Sequence, residues 1–418
     1  KTSARKFLDW LIEKDGENKH YTCIAHNGAN FDFYLLYKEL TRDEIMHSPI
    51  QLRGTSIIEF QFFGHVFKDT CCFMPNSLDN LCKSFKISDE NAKLTKFEFD
   101  GKTLTNTEMC FYKPELTFDQ FMALESTEPE FWKLYEQYCV NDCTSLLELW
   151  DKFKEAFETI ATTMGGGKPW LLRTCNLNAS STIGGLGKKL LEAMTGNNFA
   201  RAEYEKFFKD KSKPLKKKDE WEVDNEKYEF VCNLKRGGIS HCHKPGTHNE
   251  SICSFDITSQ YPASLMEMIV PAGWSEWTTK YEPEKYGYYH VRNLQFGPRS
   301  RSFKPICPNP LPTHSLNWAA SEIDECYIDS EMVKYMKQHY DLQSFEVVRG
   351  LVSNFYRPGS QIFGAYVESL FAAKAEQDEY KKNGDPRYNK ALREVIKLFL
   401  NAVSGKLVEN PRKYFKVD

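Results

Sequence analysis

Two carboxylates and one phenol near the start of the chain have the chemistry of metal-dependent hydrolysis: Asp32, Asp142 and Tyr138. Asp32 closes the run 26–32, where a predicted strand turns into a helix, and the other two share one face of a long helix predicted over 129–160. Hydrolysis with two divalent ions requires carboxylates around the ions and a group that orients the attacking water. We therefore predict that Asp32 and Asp142 hold metal and that the Tyr138 hydroxyl positions the water. A plain helix cap is the alternative for Asp32.

A third carboxylate, Asp256, lies towards the end of an apolar strand predicted over 251–257. A carboxylate in that position can reach a pair of metal ions, and the backbone N–H groups that follow it can bind a triphosphate. Ser259 and Tyr261 come next in the chain, with the Tyr261 ring placed to lie under the sugar of a nucleotide. The alternative is a strand that ends in an ordinary Tyr-Pro turn.

Near the end of the chain, a cationic stripe lies on a helix predicted over 386–403, after another helix over 361–382 and a turn at Gly384-Asp385. Three polar residues repeat at intervals of four and so line one face, opposite an apolar face. A cationic stripe suits an anionic triphosphate, and an ordinary amphipathic helix is the alternative. The stripe residues are Arg393, Lys397 and Asn401, the apolar residues are Val395, Ile396, Phe399 and Leu400, and Lys374 on the preceding helix is a second candidate for phosphate contact.

The composition indicates a globular chain of two or three domains, with 41% hydrophobic and 27% charged residues among 418. The net charge of −3 does not exclude nucleic acid, and the lysine-rich stretch 206–218 is either a solvated linker or a DNA-binding patch. The 13 cysteines lack disulfide-like spacing, and we assign the adjacent Cys71-Cys72 to the core, so a reducing, intracellular compartment is expected. Neither a signal peptide nor an apolar span of ~20 residues is present. Because residue 1 is lysine, we expect the chain to begin inside a longer protein.

The remaining pattern is mixed α/β. A β-rich segment over 56–68 predicts a hairpin around Gly64, and 77–85 predicts a helix. The three glycines at 165–167 are a candidate boundary. Residues 263–350 are rich in Pro and Tyr and predict strands and loops, with a helix at 331–340.

The run 26–32 and the pair Tyr138 and Asp142 together resemble the second and third exonuclease motifs of family B DNA polymerases, Asn-x3-Phe-Asp and Tyr-x3-Asp. The resemblance implies a 3′→5′ exonuclease that binds the frayed end of a DNA strand, with one aromatic ring stacked on a base. Ser77 can also be the N-cap of the next helix, and it can fill both roles at once. The DNA contacts implied are His26, Asn27 and Phe31 at the 3′ end, and Ser77 and Leu78, which resemble the family's single-strand motif.

The first exonuclease motif of that family, Asp-x-Glu, should lie in an apolar strand upstream of residue 27. Asp15-Gly16-Glu17 has the letters but lies in the polar run 13–20, which predicts a turn. We therefore expect the genuine motif in a preceding part of the protein. For the family's catalytic lysine in this domain, Lys113 is a provisional candidate.

The segments 254–262 and 397–406 resemble polymerase motifs A and B, Asp-x2-Ser-x-Tyr-Pro and Lys-x3-Asn-Ser-x-Tyr-Gly. Ala402 and Ser404 depart from motif B, which puts base selection in doubt but leaves the phosphate chemistry intact. Motif C, Tyr-x-Asp-Thr-Asp, is expected after Asp418. By resemblance Asp256 and the Ile257 carbonyl would hold metal, Ser259 would contact the triphosphate and Tyr261 would reject a 2′-hydroxyl. Lys397 would bind the phosphates and Asn401 would lie by the incoming base pair, while Arg393 and Lys374 are candidates for phosphate contact from their positions on the two helices.

Two further features resemble the protein-primed members of the family. Lys235-Arg236-Gly237-Gly238 partly matches their Tyr-x-Gly-Gly linker, in which Gly237 and Gly238 would contact DNA. The long segment between motifs A and B, including 332–350, resembles the insertion that contacts the terminal protein, whose hydroxyl accepts the first nucleotide. Such enzymes occur in phages, adenoviruses, linear plasmids and virus-like DNA transposons.

The resemblance implies an α/β and α+β multidomain fold: an RNase H-like 3′→5′ exonuclease domain, then a family B palm with a protein-priming insertion and two-helix fingers. The predicted boundaries are 1–165 for the exonuclease, 166–235 for a linker and basic segment, 236–262 for the start of the palm, 263–350 for the insertion and palm strands, 351–405 for the fingers, and 406–418 for the next palm segment or a second insertion.

The implied activity is protein-primed, DNA-directed DNA synthesis with proofreading, using two Mg²⁺ ions per site, with Mn²⁺ as an alternative. Expected partners are primer-template DNA, single-stranded DNA, deoxynucleoside triphosphates and a terminal protein; we expect a monomer with no membrane contact. The site of action is the host cytoplasm, a viral factory or a mitochondrion. A nucleic-acid-primed polymerase and a non-catalytic remnant that binds DNA or terminal protein are the alternatives. The cluster His241, Cys242, His243, His248 and Cys253 fits no common zinc module, and we favour a loop and strand near DNA.

Overall fold

The computed structural model describes residues 2–42, 50–87, 97–99, 102–104, 117–164, 176–177, 180–196, 199–214, 221–234, 245–257, 259–299, 325–407 and 414–417. These residues form two compact units, Lys1–Ala193 with Ser369–Asp418, and Met194–Glu368. Within the described ranges, no helix is long and apolar enough to cross a membrane.

The first unit contains a five-stranded sheet in the order β1-β4-β3-β2-β15, in which β1 and β4 are parallel and the other pairs are antiparallel. The predicted hairpin is confirmed, since Gly64 turns the chain with a φ of 74° that a side chain would strain. A separate hairpin, β5-β6, lies between α3 and α4 in the chain. The strands are β1 (Thr22–Ala25), β2 (Ile50–Arg53), β3 (Ser56–Phe62), β4 (His65–Asp69), β5 (Phe97–Phe99), β6 (Lys102–Leu104) and β15 (Tyr414–Val417). The helices are α1 (Ser3–Gly16), α2 (Asp32–Arg42), α3 (Leu78–Phe85), α4 (Phe118–Thr127), α5 (Pro129–Met164) and α6 (Ile183–Thr195).

The core of this sheet is aromatic. Phe60 on β3 stacks on Phe67 on β4 with ring centroids 4.3 Å apart, and Phe33 from α2 meets both rings edge-on. Leu8 and Leu11 of α1 are buried in the same cluster. These contacts fix α2, and with it Asp32 at the helix start, against the sheet.

The long helix predicted over 129–160 is confirmed and extends to Met164 as α5. Proline is well tolerated in a first helical turn, where its missing N–H has no intrahelical partner. Buried residues recur at helical spacing, including Phe153 and Phe157. Phe157 packs on Phe399, with ring centroids 5.7 Å apart.

Phe399 belongs to the second of two helices joined by a turn, α11 (Gly359–Lys382) and α12 (Lys390–Leu407). Gly384 has a φ of 64° in that turn, as expected for a residue without a side chain. The second helix begins at Lys390 rather than at Pro386, because the Asn389 side chain accepts the N–H of Leu392 and caps it. The predicted apolar face is confirmed: Val395, Ile396, Phe399 and Leu400 are buried.

The second unit is built on a four-stranded antiparallel sheet in the order β10-β13-β11-β12, with two separate hairpins, β9-β14 and β7-β8. The predicted strand-rich region and its helix are thus confirmed, and Tyr289, Ile328 and Met336 lie in the core. The strands are β7 (Lys209–Pro214), β8 (Trp221–Val223), β9 (Ile269–Ala272), β10 (Glu276–Thr278), β11 (Tyr286–Phe296), β12 (Glu325–Asp329), β13 (Leu342–Ser353) and β14 (Phe355–Pro358). The helices are α7 (Phe199–Lys206), α8 (Asn225–Cys232), α9 (Gln260–Glu267) and α10 (Ser330–His339).

Two predictions in this unit were wrong. The segment assigned as a linker over 166–235 contains α7, the β7-β8 hairpin and α8, because Phe207 and Phe230 pack into a core with Leu351. The many lysines around these two phenylalanines made the segment look solvent-exposed in the sequence. The strand predicted over 251–257 is not formed. A strand requires a neighbour for its backbone N–H and C=O groups, and no described strand pairs with this segment.

Candidate functional site

The loop that carries Asn27 and leads to Asp32 is held in place by a buried carboxylate on β4. Asp69 accepts hydrogen bonds from the backbone N–H groups of Asn27 at 2.9 Å, Ala29 at 3.1 Å and Cys71 at 2.8 Å. Asn27 adopts a left-handed conformation with a φ of 68°, which asparagine tolerates better than most residues. Gly28 is closely packed, since a Cβ there would lie 2.6 Å from the Ala25 Cβ.

Asp32 and Asp142 lie close enough to act on the same side chain. Cys143 neighbours Asp142 on α5, and its thiol pKa is raised above the usual range by burial, then by Asp142 and by Asp32. The two predicted carboxylates therefore act electrostatically on the same side chain, although they lie far apart in the sequence. Phe31, next to Asp32, leaves 65% of its surface exposed, which is an unusual state for a phenylalanine and fits a ring that awaits a stacking partner.

Tyr138 lies one helical turn before Asp142 on α5, as predicted. It packs at the edge of an aromatic cluster, with its ring centroid 5.5 Å from that of Tyr135. The side chain of Asn141, next to Asp142, keeps a buried Nδ2 donor that has no hydrogen-bond partner among the described residues. An unused donor beside a carboxylate can serve a bound water or a phosphate oxygen.

His26 is anchored through both ring nitrogens. Nδ1 lies 2.8 Å from the Thr70 hydroxyl, and Nε2 lies 2.8 Å from the Asn76 carbonyl and 3.4 Å from the Cys71 sulfur. Asn76 precedes Ser77, so the fold brings the predicted 3′-end contact next to the predicted single-strand motif. Ser77 accepts the N–H of Asn80 and caps α3, which confirms the alternative role; Leu78 is the first residue of that helix.

The rejection of Asp15-Gly16-Glu17 as the first nuclease motif agrees with the structure, although the prediction of a turn over 13–20 was partly wrong. The first part of that run continues α1, which ends at Gly16. Glu17 pairs with Lys14 and Lys19, and Asp15 contacts His20. None of these residues lies on a strand.

Asp256 lies in an exposed segment without regular secondary structure in front of α9 in the second unit. Phe255 is 93% exposed, and Tyr261, in the first turn of α9, is 60% exposed. Ser259 has a φ of 53° and precedes the helix without capping it, so its hydroxyl is not committed to its own helix N-terminus. The backbone N–H groups there have the geometry that favours an anion.

The predicted cationic stripe on α12 divides into two parts. Lys397 and Asn401 are exposed. Arg393 instead forms an ion pair with Asp378 on α11, and Lys374 lies 3.8 Å from the same carboxylate. Arg393 and Lys374 thus share one acid, and an anion of higher charge would compete with Asp378 for both of them.

Ser404, which replaces the usual Tyr of motif B, donates its hydroxyl to the Asn401 carbonyl at 2.9 Å. This bond lies within α12 and leaves no aromatic ring at that position. Ala402, the other departure, is half-buried on the same helix.

Several predicted residues lie outside the described ranges: Lys113, Gly165–Gly167, Lys235, the pair Gly237 and Gly238, and the cluster His241, Cys242 and His243. The other two residues of the candidate zinc cluster, His248 and Cys253, are exposed. In the ranges that the structure describes, no group of three or more His, Cys, Asp or Glu side chains could hold a metal ion.

Sequence reasoning missed Asp69 and Thr70 and assigned the adjacent cysteines simply to the core. Cys71 is instead half-buried and contacts His26, while burial raises the pKa of the Cys71 thiol to about 11. One signal was available: Asp69 is a carboxylate at the end of a β-rich run, and a strand end is a common position for a functional side chain. Its partners are backbone N–H groups, which the sequence does not reveal.

The fold resembles that of solved DNA polymerases. Phi29 DNA polymerase in an orthorhombic crystal form superposes with a TM-score of 0.58 at 15% identity, over 98% of this chain and 62% of that chain. Its complex with primer-template DNA gives a TM-score of 0.56 at 16% identity over the same shares. The complex with single-stranded DNA gives 0.55 at 16% identity, again over 98% and 62%.

The chain belongs to the family of type B DNA polymerases, organellar and viral, whose sequence pattern matches residues 13–417. A DNA polymerase of Kluyveromyces lactis is 24% identical over an alignment of 434 positions, gaps included, which covers 97% of this chain and 39% of that protein. The chain thus spans about two fifths of the length of this curated relative. The predicted resemblance to family B is confirmed.

Proposed function

We propose that the protein containing this chain is a protein-primed, DNA-directed DNA polymerase with a 3′→5′ proofreading exonuclease. The observation that carries the proposal is the contact between His26 Nε2 and the Asn76 carbonyl at 2.8 Å, because it brings the run 26–32 next to the single-strand motif at Ser77, which the sequence keeps far apart. The family match and the shared fold support the polymerase half.

In the nuclease half, the donor set fits Mg²⁺, which prefers carboxylate oxygens, and Asp32 and Asp142 would hold it. Bound divalent ions supply a nucleophilic water and stabilise the charge that develops on the phosphate. The chain's own residues do the positioning: Tyr138 orients the water, and Phe31 stacks on the terminal base. His26 is kept at a fixed orientation by Thr70 and Asn76.

In the polymerase half, Asp256 and the Ile257 carbonyl would hold metal in front of α9, and its N-terminal N–H groups with Ser259 would receive the triphosphate. Tyr261 is exposed and can close against the sugar. Lys397 would bind the phosphates and Asn401 would lie by the base pair, both exposed on α12.

Primer-template DNA, single-stranded DNA and deoxynucleoside triphosphates are the proposed substrates; solved phi29 polymerase complexes contain these three classes of ligand. The terminal protein is proposed as the primer on the strength of the sequence resemblance. The distinguishing assay is transfer of a labelled deoxynucleotide to a protein hydroxyl in the absence of a nucleic-acid primer. Label on DNA alone would favour the nucleic-acid-primed alternative.

The central experiment compares extension and degradation of a labelled primer-template by the full-length protein with Mg²⁺. Asp256→Ala should lower extension by at least about a hundredfold and spare degradation, and Asp142→Ala should do the reverse, since each removes a metal ligand. Matched controls are Asp151→Ala, an exposed acid on the same helix as Asp142, and Glu250→Ala, an exposed acid near Asp256. Equal effects of control and site variants would refute the assignment.

A second candidate is a remnant that binds DNA or terminal protein without catalysis. The observation that favours it is the altered motif B, where the Ser404 hydroxyl bonds to its own helix and no ring is present to pack on a base pair. A wild-type protein that binds primer-template but neither extends nor degrades it would establish this alternative.

A further inference from the structure

A cleft with a volume of about 380 Å³ lies within the first unit, away from the residues proposed for catalysis. We call it the cationic cleft. Its walls are the end of α3, one face of α5 and the turn that leads into α12. The residues that give it its chemistry are Lys86, Lys152, Arg387, Lys390, Glu155 and Tyr388.

Two of the four cations in the cleft are already neutralised. Lys152 pairs with Glu148 at 3.0 Å and donates to the carbonyl of Lys86 at 2.6 Å, and Arg387 pairs with Asp385 at 2.8 Å. Throughout the part of the chain that the structure describes, Lys86 and Lys390 form no ion pair with any acid. Glu155 is the one carboxylate in the lining, so the unpaired cations outnumber it.

The two unpaired lysines lie at the ends of two helices, and Lys390 occupies a position that helix stability alone would not choose. Lys390 is the first residue of α12, where the positive end of the helix dipole disfavours a cation and no acid is present in the first turn. Lys86 is the C-cap of α3 with a φ of 51°, a left-handed conformation that is common at helix ends and favours glycine over a side chain. Residues that break local rules of stability are found preferentially where a ligand is bound.

The cleft also offers a surface for a flat ring. Tyr388 lines it, and the Arg387 guanidinium stacks on Tyr380 at 4.3 Å while 69% of the Arg387 side chain remains exposed. Cations beside aromatic rings and a stacked guanidinium are the combination that tracks an unpaired nucleic-acid strand. A cleft of this size accommodates a single small-molecule-sized group, such as one nucleotide unit.

We propose that the cationic cleft binds a phosphate group of a single-stranded polynucleotide, held by Lys86 and Lys390 with a base against Tyr388. This site is additional to the two proposed catalytic sites and needs neither of them to be active. A free nucleotide carries the same phosphate chemistry, so the test separates the two sources.

The test is chemical footprinting of lysines in the full-length protein, with acetylation read by mass spectrometry in EDTA, which prevents metal-dependent hydrolysis. The ligands are oligothymidylate, dTTP and inorganic triphosphate. We expect oligothymidylate to protect Lys86 and Lys390 from acetylation and to leave Lys83 unchanged. Lys83 is the matched control, because it lies on α3 and pairs with Asp79 outside the cleft. Protection by dTTP or triphosphate, but not by the oligonucleotide, would overturn the polynucleotide assignment and indicate a site for free nucleotides.

A binding measurement on variants checks the same inference. The double variant Lys86→Ala/Lys390→Ala should weaken oligothymidylate binding and reduce the slope of log K against log salt by about 0.7, the value for the one phosphate that the two lysines hold together. Glu155→Gln should tighten binding, because it removes the one negative charge from the lining. Unprotected lysines with all three ligands, or an unchanged slope in a double variant that keeps wild-type circular dichroism, would overturn the proposal. Neither readout depends on synthesis or degradation, so a failed proposed function would be distinguishable.

Discussion

Asp69 offers the sharpest test of how the nuclease loop is positioned. The perturbation is Asp69→Asn, which changes almost no volume and removes one acceptor oxygen and the negative charge. Oδ1 of the carboxylate accepts the N–H groups of Asn27 and Cys71, and Oδ2 accepts that of Ala29. Asn27 and Ala29 precede Asp32 in the same loop, so the substitution reaches a proposed metal ligand through the backbone alone.

The expected magnitude follows from these three bonds. An asparagine presents one oxygen, so at least one buried N–H loses its acceptor, at a cost of about 1–3 kcal/mol. Each of the two bonds that remain weakens by about 1 kcal/mol, because a hydrogen bond to a charged acceptor contributes about 1.5–3 kcal/mol and one to a neutral acceptor about 0.5–1.5 kcal/mol. We expect a local destabilisation of about 3 kcal/mol, which corresponds to roughly a hundredfold change in an opening equilibrium.

The assay is hydrogen exchange with mass spectrometry on a peptide that covers residues 22–34. Exchange in this peptide measures the local opening of the loop, which the midpoint of global unfolding does not report. Exchange in this peptide should accelerate by roughly two orders of magnitude, and degradation of single-stranded DNA should fall while primer extension is retained. The matched control is Asp79→Asn, a partly exposed acid paired with Lys83, which should cost less than about 1 kcal/mol. Unchanged exchange in the Asp69 variant would refute the reasoning, whatever its activity.

Three further substitutions test packing and electrostatics. Lys68→Met should cost about 3 kcal/mol in chemical denaturation, because Lys68 is only 1% exposed and pairs with Glu59 at 2.8 Å, and adding Glu59→Gln should restore part of the loss. Phe399→Ala should cost about 3–5 kcal/mol, and a double-mutant cycle with Phe157→Ala should give a coupling of about 0.5–1.5 kcal/mol. Asp329→Asn should raise the melting temperature more at about pH 7.5 than at about pH 4. Burial raises the Asp329 pKa, so the stability that the protonated carboxyl contributes is present at low pH and is lost as the pH rises through the raised pKa. Asparagine carries no charge at either pH and still caps α10. An equal shift at both pH values would contradict the last prediction.

Elements whose signals are local were predictable from the sequence. The spacing of apolar residues identified α5 and the buried face of α12 because a helix on a core repeats its contacts every turn. The β3-β4 turn was predictable because a glycine between two apolar, branched runs permits a positive φ. The pairing of Tyr138 with Asp142 needed only the helical repeat.

Features that depend on distant partners were not predictable. The run 251–257 has the composition of a strand, but composition does not supply a neighbour for its hydrogen bonds. The lysine-rich region before it was assigned as a linker because its lysines outnumber its core residues. Two phenylalanines, Phe207 and Phe230, are enough to anchor the region in a core. The pairing of Arg393 and Lys374 with Asp378 depends on how α11 and α12 face each other. The four-residue spacing of the stripe on α12 does not determine that arrangement.

Helix α5 connects these observations physically. Tyr138 and Asp142 lie on its earlier part, and Phe157, which packs against Phe399 of α12, lies further along. Asp142 and Phe157 are separated by about 22 Å of uninterrupted helix, at about 1.5 Å per residue. Because a continuous helix is stiff over this length, the Phe157–Phe399 contact fixes α12, and so Lys397 and Asn401, relative to the nuclease carboxylate. The cationic cleft lies along the same stretch of α5, where Lys152 and Glu155 face the turn that begins α12. A strand bound there would contact both α5 and the start of α12, so its affinity should respond to Phe157→Ala even though Phe157 does not line the cleft.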